Sequence, residues 1–168
     1  MARLPIPERN DKNAAACDYL VKTRGAVRGG FAVMLASPEV AQRMAHVGTY
    51  VRFDSPLSAL AREVASTVVS AELENPVETP LHAKRCRELG VPEEVVRAIE
   101  QRAPLVGADE EVGLVAELCR ELTRTHKLAQ KTFDAARTRY GDAGVTDLVA
   151  TAGYYAMLAV CHVALGVA

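Results

Sequence analysis

At 168 residues the chain has the length of one domain with its own core, or of one subunit of an assembly. A hydrophobic share of 49% beside a charged share of 24% is that of an ordinary globular protein in water. A formal net charge of −1, no tryptophan and 5% aromatics exclude the basic footprint and stacking platforms that nucleic acid requires, and offer nothing to an anionic membrane.

Residues 1–30 read as an N-terminal arm and a first helix, without the basic-then-apolar pattern of an export signal. Cys17, Cys86, Cys119 and Cys161 are widely spaced with no Cys-x-x-Cys pair, which predicts four reduced thiols in a cytoplasmic protein. Gly29-Gly30 is too short for a phosphate loop and reads as a turn.

Helical periodicity dominates from there on, and no two-residue alternation marks a sheet. Ser37-Pro38-Glu39 is an N-cap, a first-turn proline and a first-turn acid, opening a helix to about Phe53. Ser55-Pro56 repeats the device and predicts a helix to about Glu72. Its residues Leu57, Leu60, Ala61, Val64, Val68 and Ala71 share one face, with Glu63 at the edge of that face. The next helix ends at Leu89, with Gly90 as a left-handed cap.

Pro92-Glu93-Glu94 opens a short helix to about Gln101. The loop APLVGA then leads to a helix over about Asp109 to Thr125, with acids in its first turn. A helix from about Gln130 to Tyr140 stops at Gly141, and the last runs from about Val145 to the end. Residues 148–168 carry no Lys, Arg, Asp or Glu, so length alone permits a membrane span. Gly153, two tyrosines, a histidine and the lack of a basic flank favour instead a buried central helix, covered by a subunit interface. The pattern predicts one all-α domain over 1–168 that is not a monomer.

Glu63, Glu78 and His82 carry the chemistry. Glu78 and His82 are four apart, one turn apart on a helix face, so the carboxylate can fix the imidazole tautomer and raise its pKa. Glu63 reaches the same place if the preceding helix folds back alongside. The alternative is a solvated Glu–His pair contributing only about 0.2–0.5 kcal/mol of helix support. Pro80 bears on the geometry, since a helix starting at Asn75 would be bent by it, whereas one starting at Thr79 would leave Glu78 outside.

Around the trio, LSALAREVA and PVETPLHAKRCRELGVPEEVVRAI resemble the carboxymuconolactone decarboxylase family, related to the alkylhydroperoxidase AhpD. Arg62-Glu63 matches the start of that motif, Glu78 its central acid, His82 its histidine and Gly90 its closing glycine. ARLPIP, RGGFAVMLASPEVAQRMAHVG and DLVATAGYYAML are similar to the family's opening arm, its early helix and its terminal helix.

The resemblance implies an AhpD-like bundle of about six to eight helices, assembled as a homotrimer or homohexamer. It also implies a cofactor-free enzyme without metal, acting on a small carboxylated lactone or unsaturated acid. His82 would then be the acid, Glu78 its orienting partner, and Glu63 a second acid or a brace. The chain departs from the AhpD branch where the latter has Cys-x-x-Cys: Asn75 and Glu78 stand there, so peroxide chemistry has no thiol. Val77 and Thr79 replace the aromatics that flank the central acid, which predicts a different pocket from that of the lactone decarboxylase.

Arg28 and Arg52 could grip a substrate carboxylate, although a solvated arginine is the commoner role. His162 reads as a satisfied core or interface histidine, His46 and His126 as surface residues, and Tyr154 and Tyr155 as interface packing, with the lining of a pocket as their alternative role. Glu63, Glu78 and His82 could in principle bind zinc or iron, yet neither His-Glu-x-x-His nor a repeated Glu-x-x-His is present. The rival to an enzyme is a catalytically silent helical oligomer that binds or scaffolds; a redox enzyme with distant cysteines is a third reading.

Overall fold

The helical periodicity carries through to the fold. The computed structural model describes residues 2–167, and over them the chain forms eight α-helices and no strand. These are α1 (Ala14–Arg24), α2 (Gly29–Met34), α3 (Pro38–Thr49), α4 (Ala59–Glu72), α5 (Glu78–Glu88), α6 (Glu93–Glu100), α7 (Glu110–Thr125) and α8 (Gln130–Leu165). The fold is all-α, as the sequence predicts.

Local signals place most boundaries. Asp109 caps α7 by accepting a hydrogen bond from the Val112 amide, and Gly90, at φ +86°, closes the chain after α5. Gly141 breaks α8 with φ +68° and ψ 178°, so its two halves are separate rods in a single run of helix. The helix predicted to reach Phe53 is regular only to Thr49. It continues through a π turn, Tyr50–Asp54, in which the Ser55 amide donates to the carbonyl of Tyr50 over 2.8 Å.

Ser55 does not cap the next helix. Its hydroxyl is drawn 2.8 Å to buried Asp147 on α8, and Ser58, donated to by the Ala61 amide, caps α4 instead. Gly29-Gly30 is likewise no free turn but the opening of α2.

The central helix is α4. It packs against α5, α6, α7 and α8, and Ala61, Val64, Ala65, Val68 and Val69 are fully buried. Each such valine contributes about 1.5–3 kcal/mol relative to exposure. The sequence places the C-terminal helix at the centre; within this chain one of its faces is covered. Leu148, Ala152, Tyr155 and Leu158 are buried, whereas Val149, Met157, Val160 and Val163 are exposed. By length and composition alone α8 could cross a membrane.

Candidate functional site

The site lies where α4 and α5 meet. Asn75, 1% exposed, prepares the start of α5: its Oδ1 accepts hydrogen bonds from the Val77 and Glu78 amides at 3.0 and 3.2 Å. The helix begins at Glu78, so Pro80 falls in the first turn, where its missing N–H has no intrahelical partner to lose. Both alternatives read from Pro80 are thereby replaced by a third, with Glu78 and His82 on one helix.

The structure brings all three motif residues together. Glu63 Oε2 lies 2.6 Å from His82 Nδ1, and Glu78 Oε2 lies 3.3 Å from His82 Nε2. The ring is 3% exposed, against 25% for Glu63 and 15% for Glu78. The Nε2 contact is at ion-pair distance but is not aligned as a hydrogen bond, and that nitrogen has no hydrogen-bond partner in the protein. The ring of Tyr155 packs edge-on against the imidazole at 4.8 Å.

Burial alone would depress the pKa of His82, but bonding to Glu63 and the charge of Glu78 outweigh it and hold the imidazolium above the ordinary 6.5. Burial would raise Glu78; its contact with His82, helped by the charges of His162 and Arg52, keeps it below the ordinary 4.5. Because the two carboxylates sit at opposite nitrogens of one ring, they do not converge on a single ion. Among the described residues no group of three or more His, Cys, Asp or Glu is disposed to hold a metal.

Glu78 opens into a cavity of about 510 Å³, lined also by Arg28, Arg52, Tyr154, Tyr155 and His162. Glu63 opens into a smaller one of about 300 Å³, and Arg52, Phe53 and Arg85 line both. His82 lines neither, so the imidazole connects two carboxylates that face different spaces. Arg87, Arg97, Arg102, Arg120 and Arg124 are engaged by glutamates. Arg28 and Arg52 are in no ion pair among the described residues, and Arg52 stacks on Phe53 at 4.9 Å.

Residues 38–118 match the sequence profile of the carboxymuconolactone decarboxylase family. The match spans 81 of the 168 residues, and over that stretch the chain is similar to the carboxymuconolactone decarboxylase family. Glu63, Glu78 and His82 all fall within the matched segment. The fold is similar to an uncharacterized peroxidase-related protein from Silicibacter sp. TM1040, with TM-score 0.76 and 17% identity over 99% of this chain and 89% of that one. It is also similar to a protein of unknown function from Agrobacterium tumefaciens, provisionally named an AhpD antioxidant defence protein. There the TM-score is 0.69 and the identity 15%, over 83% of this chain and 96% of that one. No curated protein matches the chain in sequence.

Three further residues of the larger cavity, Tyr154, Tyr155 and His162, read from the sequence mainly as packing residues. Tyr154 and Tyr155 line it, and His162, buried at 2% exposure and bonded to Asn75 as a satisfied core histidine would be, also forms part of its wall. A signal was present: His162 follows the tyrosines by eight and seven residues, two helical turns along the same face. His46 and His126 are exposed, as expected.

Proposed function

We propose that the protein is a cofactor-free enzyme that catalyses carbon–carbon cleavage or proton transfer on a small carboxylated lactone or unsaturated acid. The observation that carries this is the Glu78 carboxylate, facing a cavity of about 510 Å³ beside Arg28 and Arg52, which are in no ion pair among the described residues, and backed by the buried imidazole of His82. Arg28 and Arg52 hold a carboxylate or lactone oxygen. When carbon dioxide leaves, the electron pair passes into the conjugated carbonyl, and an arginine near the developing enolate stabilises it. The proton for carbon comes from His82 through Glu78, and Glu63 braces the ring. The roles differ from those expected from sequence, because Glu78, not His82, reaches the cavity.

A thiol peroxidase is disfavoured on chemistry. Cys86, next to the motif, is buried, and burial pushes its thiol up to about 11. At pH 7 that leaves about one molecule in ten thousand as thiolate. The proposal extends to one domain over 1–168, a cytoplasmic setting and a homotrimer or homohexamer joined through the exposed apolar face of α8.

The test is release of carbon dioxide from carboxymuconolactone, with solvent deuterium entering the product. Wild-type protein is expected to turn over, and His82→Ala to lose turnover while still unfolding cooperatively. Full activity in His82→Ala, or no reaction by wild type, overturns the proposal.

A further inference from the structure

His162 enters the larger cavity from α8, and the turn before α5 holds its ring in one state. Two backbone N–H groups, of Val77 and Glu78, point at one end of the Asn75 side-chain amide, so that end is the oxygen. The same oxygen lies 3.3 Å from His162 Nδ1. A carbonyl oxygen only accepts, so Nδ1 carries the hydrogen and donates it. Burial keeps the pKa of His162 below the ordinary 6.5, with the charge of Glu78 opposing. At neutral pH the ring is therefore uncharged, and Nε2 has a free lone pair.

Gly30 makes room for that nitrogen. A Cβ there would stand 2.2 Å from His162 Nε2 and 2.5 Å from Cδ2, so a side chain at this position would displace the ring edge. Gly30, His162 and Glu78 line the same cavity, and no donor among the described residues bonds to Nε2. One space thus adjoins an imidazole whose proton affinity is lowered by burial and a carboxylate backed by one whose proton affinity is raised by its two glutamates. Environments that push two proton affinities apart in this way mark a base and an acid.

We propose that His162 Nε2 is the proton acceptor of this cavity, acting with the Glu78–His82 donor pair to move a proton between two carbons of a small unsaturated carboxylate. The activity is an allylic isomerisation without carbon–carbon cleavage, and it rests on the reading of the site given above. A C–H bond next to the conjugated system breaks; its proton goes to Nε2 and its electron pair into the carbonyl. A new C–H bond then forms at the far end of the system, with a proton from His82 passed through Glu78. His162 ends as imidazolium and His82 as neutral imidazole, and one proton returned through solvent restores both. No oxidant or reductant is consumed.

The experiment has two arms. Nitrogen-15 spectra of histidine-labelled wild-type protein at pH 7 should show His162 neutral with the hydrogen on Nδ1, and its Nε2 resonance should move when a carboxymethyl-butenolide is added. An imidazolium, the other tautomer or an unmoved Nε2 overturns the proposal, with no variant needed. In deuterium oxide the wild type should exchange and isomerise the same butenolide, and His162→Gln should slow both by about 100-fold or more while unfolding cooperatively. If wild type acts and His162→Gln keeps its rate, this inference alone fails. If wild type neither exchanges the butenolide nor decarboxylates the lactone, the proposed function fails as well.

Discussion

Glu63 and His82 meet through one 2.6 Å contact between α4 and α5, made at Nδ1 of a ring that is 3% exposed. The other nitrogen, 3.3 Å from Glu78, makes no aligned hydrogen bond. One side of the imidazole is anchored, and the other faces a carboxylate on a cavity wall. Under the proposed function, that asymmetry separates the duties of the two acids: Glu63 holds the ring and Glu78 transfers the proton.

Glu63→Gln tests the anchor. The change removes a charge with little change of shape, so burial of His82 is then opposed by Glu78 alone and its pKa falls. In wild type the folded pKa lies above the unfolded 6.5. The stabilisation from His82 is therefore complete below about 6.5 and is lost as pH rises through the folded value. The variant should be about 1–3 kcal/mol less stable than wild type at pH 6, with the difference shrinking by pH 9. Urea unfolding at the two pH values measures it; an equal difference at both would refute the ion-pair assignment.

Glu78→Gln tests the transfer. The folded pKa of Glu78 lies below 4.5, so its contribution to stability is present above that value and lost as pH falls through the folded pKa. Wild type and variant should therefore converge in melting temperature in acid. Turnover of the lactone should fall by about 100-fold or more at pH 7, with KM changed far less. A loss confined to KM would make Glu78 a binding group only.

What could be read from the sequence follows the range of the forces involved. Asp109, Gly90 and Gly141 act on their own helix ends, and each boundary they predict is found. Ser55 carries the same kind of local signal, yet its hydroxyl is claimed by Asp147, 92 residues away, and the helix starts at Ala59. His162 is positioned by Asn75, 87 residues away, and no local pattern announces such a pairing. The motif trio was legible because Glu78 and His82 share a helix and the family spacing supplied Glu63. Composition marked α8 as apolar, but only packing decides which face finds a neighbour in the chain.

Glu72→Ala separates stability from catalysis. Glu72, 6% exposed, binds Arg120 at 3.1 Å and Arg124 at 2.6 Å, and Arg120 is itself 13% exposed. Burial lowers the pKa of Arg120 even with the glutamate present, so the variant strands a desolvated cation. The expected cost is about 3–5 kcal/mol, read by denaturant unfolding. Neither cavity of the site is lined by these three residues, so kcat and KM of the folded fraction should match wild type. Changed kinetics would mean that the α4–α7 contact shapes the site.

Asp147→Ala addresses how Arg52 is aimed. Asp147, 7% exposed, accepts from the Ser55 hydroxyl at 2.8 Å and the Tyr50 hydroxyl at 3.1 Å. Those residues bracket the π turn that carries Arg52 to the walls of both cavities. Removing the carboxylate strands the buried Ser55 hydroxyl at about 1–3 kcal/mol and frees the turn from α8. If the turn positions the guanidinium on a substrate carboxylate, KM should rise several-fold with a smaller change in kcat, as expected for binding felt equally by substrate and transition state. Asp147→Asn keeps an acceptor oxygen for the two hydroxyls and should recover most of the affinity. A loss of stability in Asp147→Ala with KM unaltered would show that the tether supports the fold and has no part in placing Arg52.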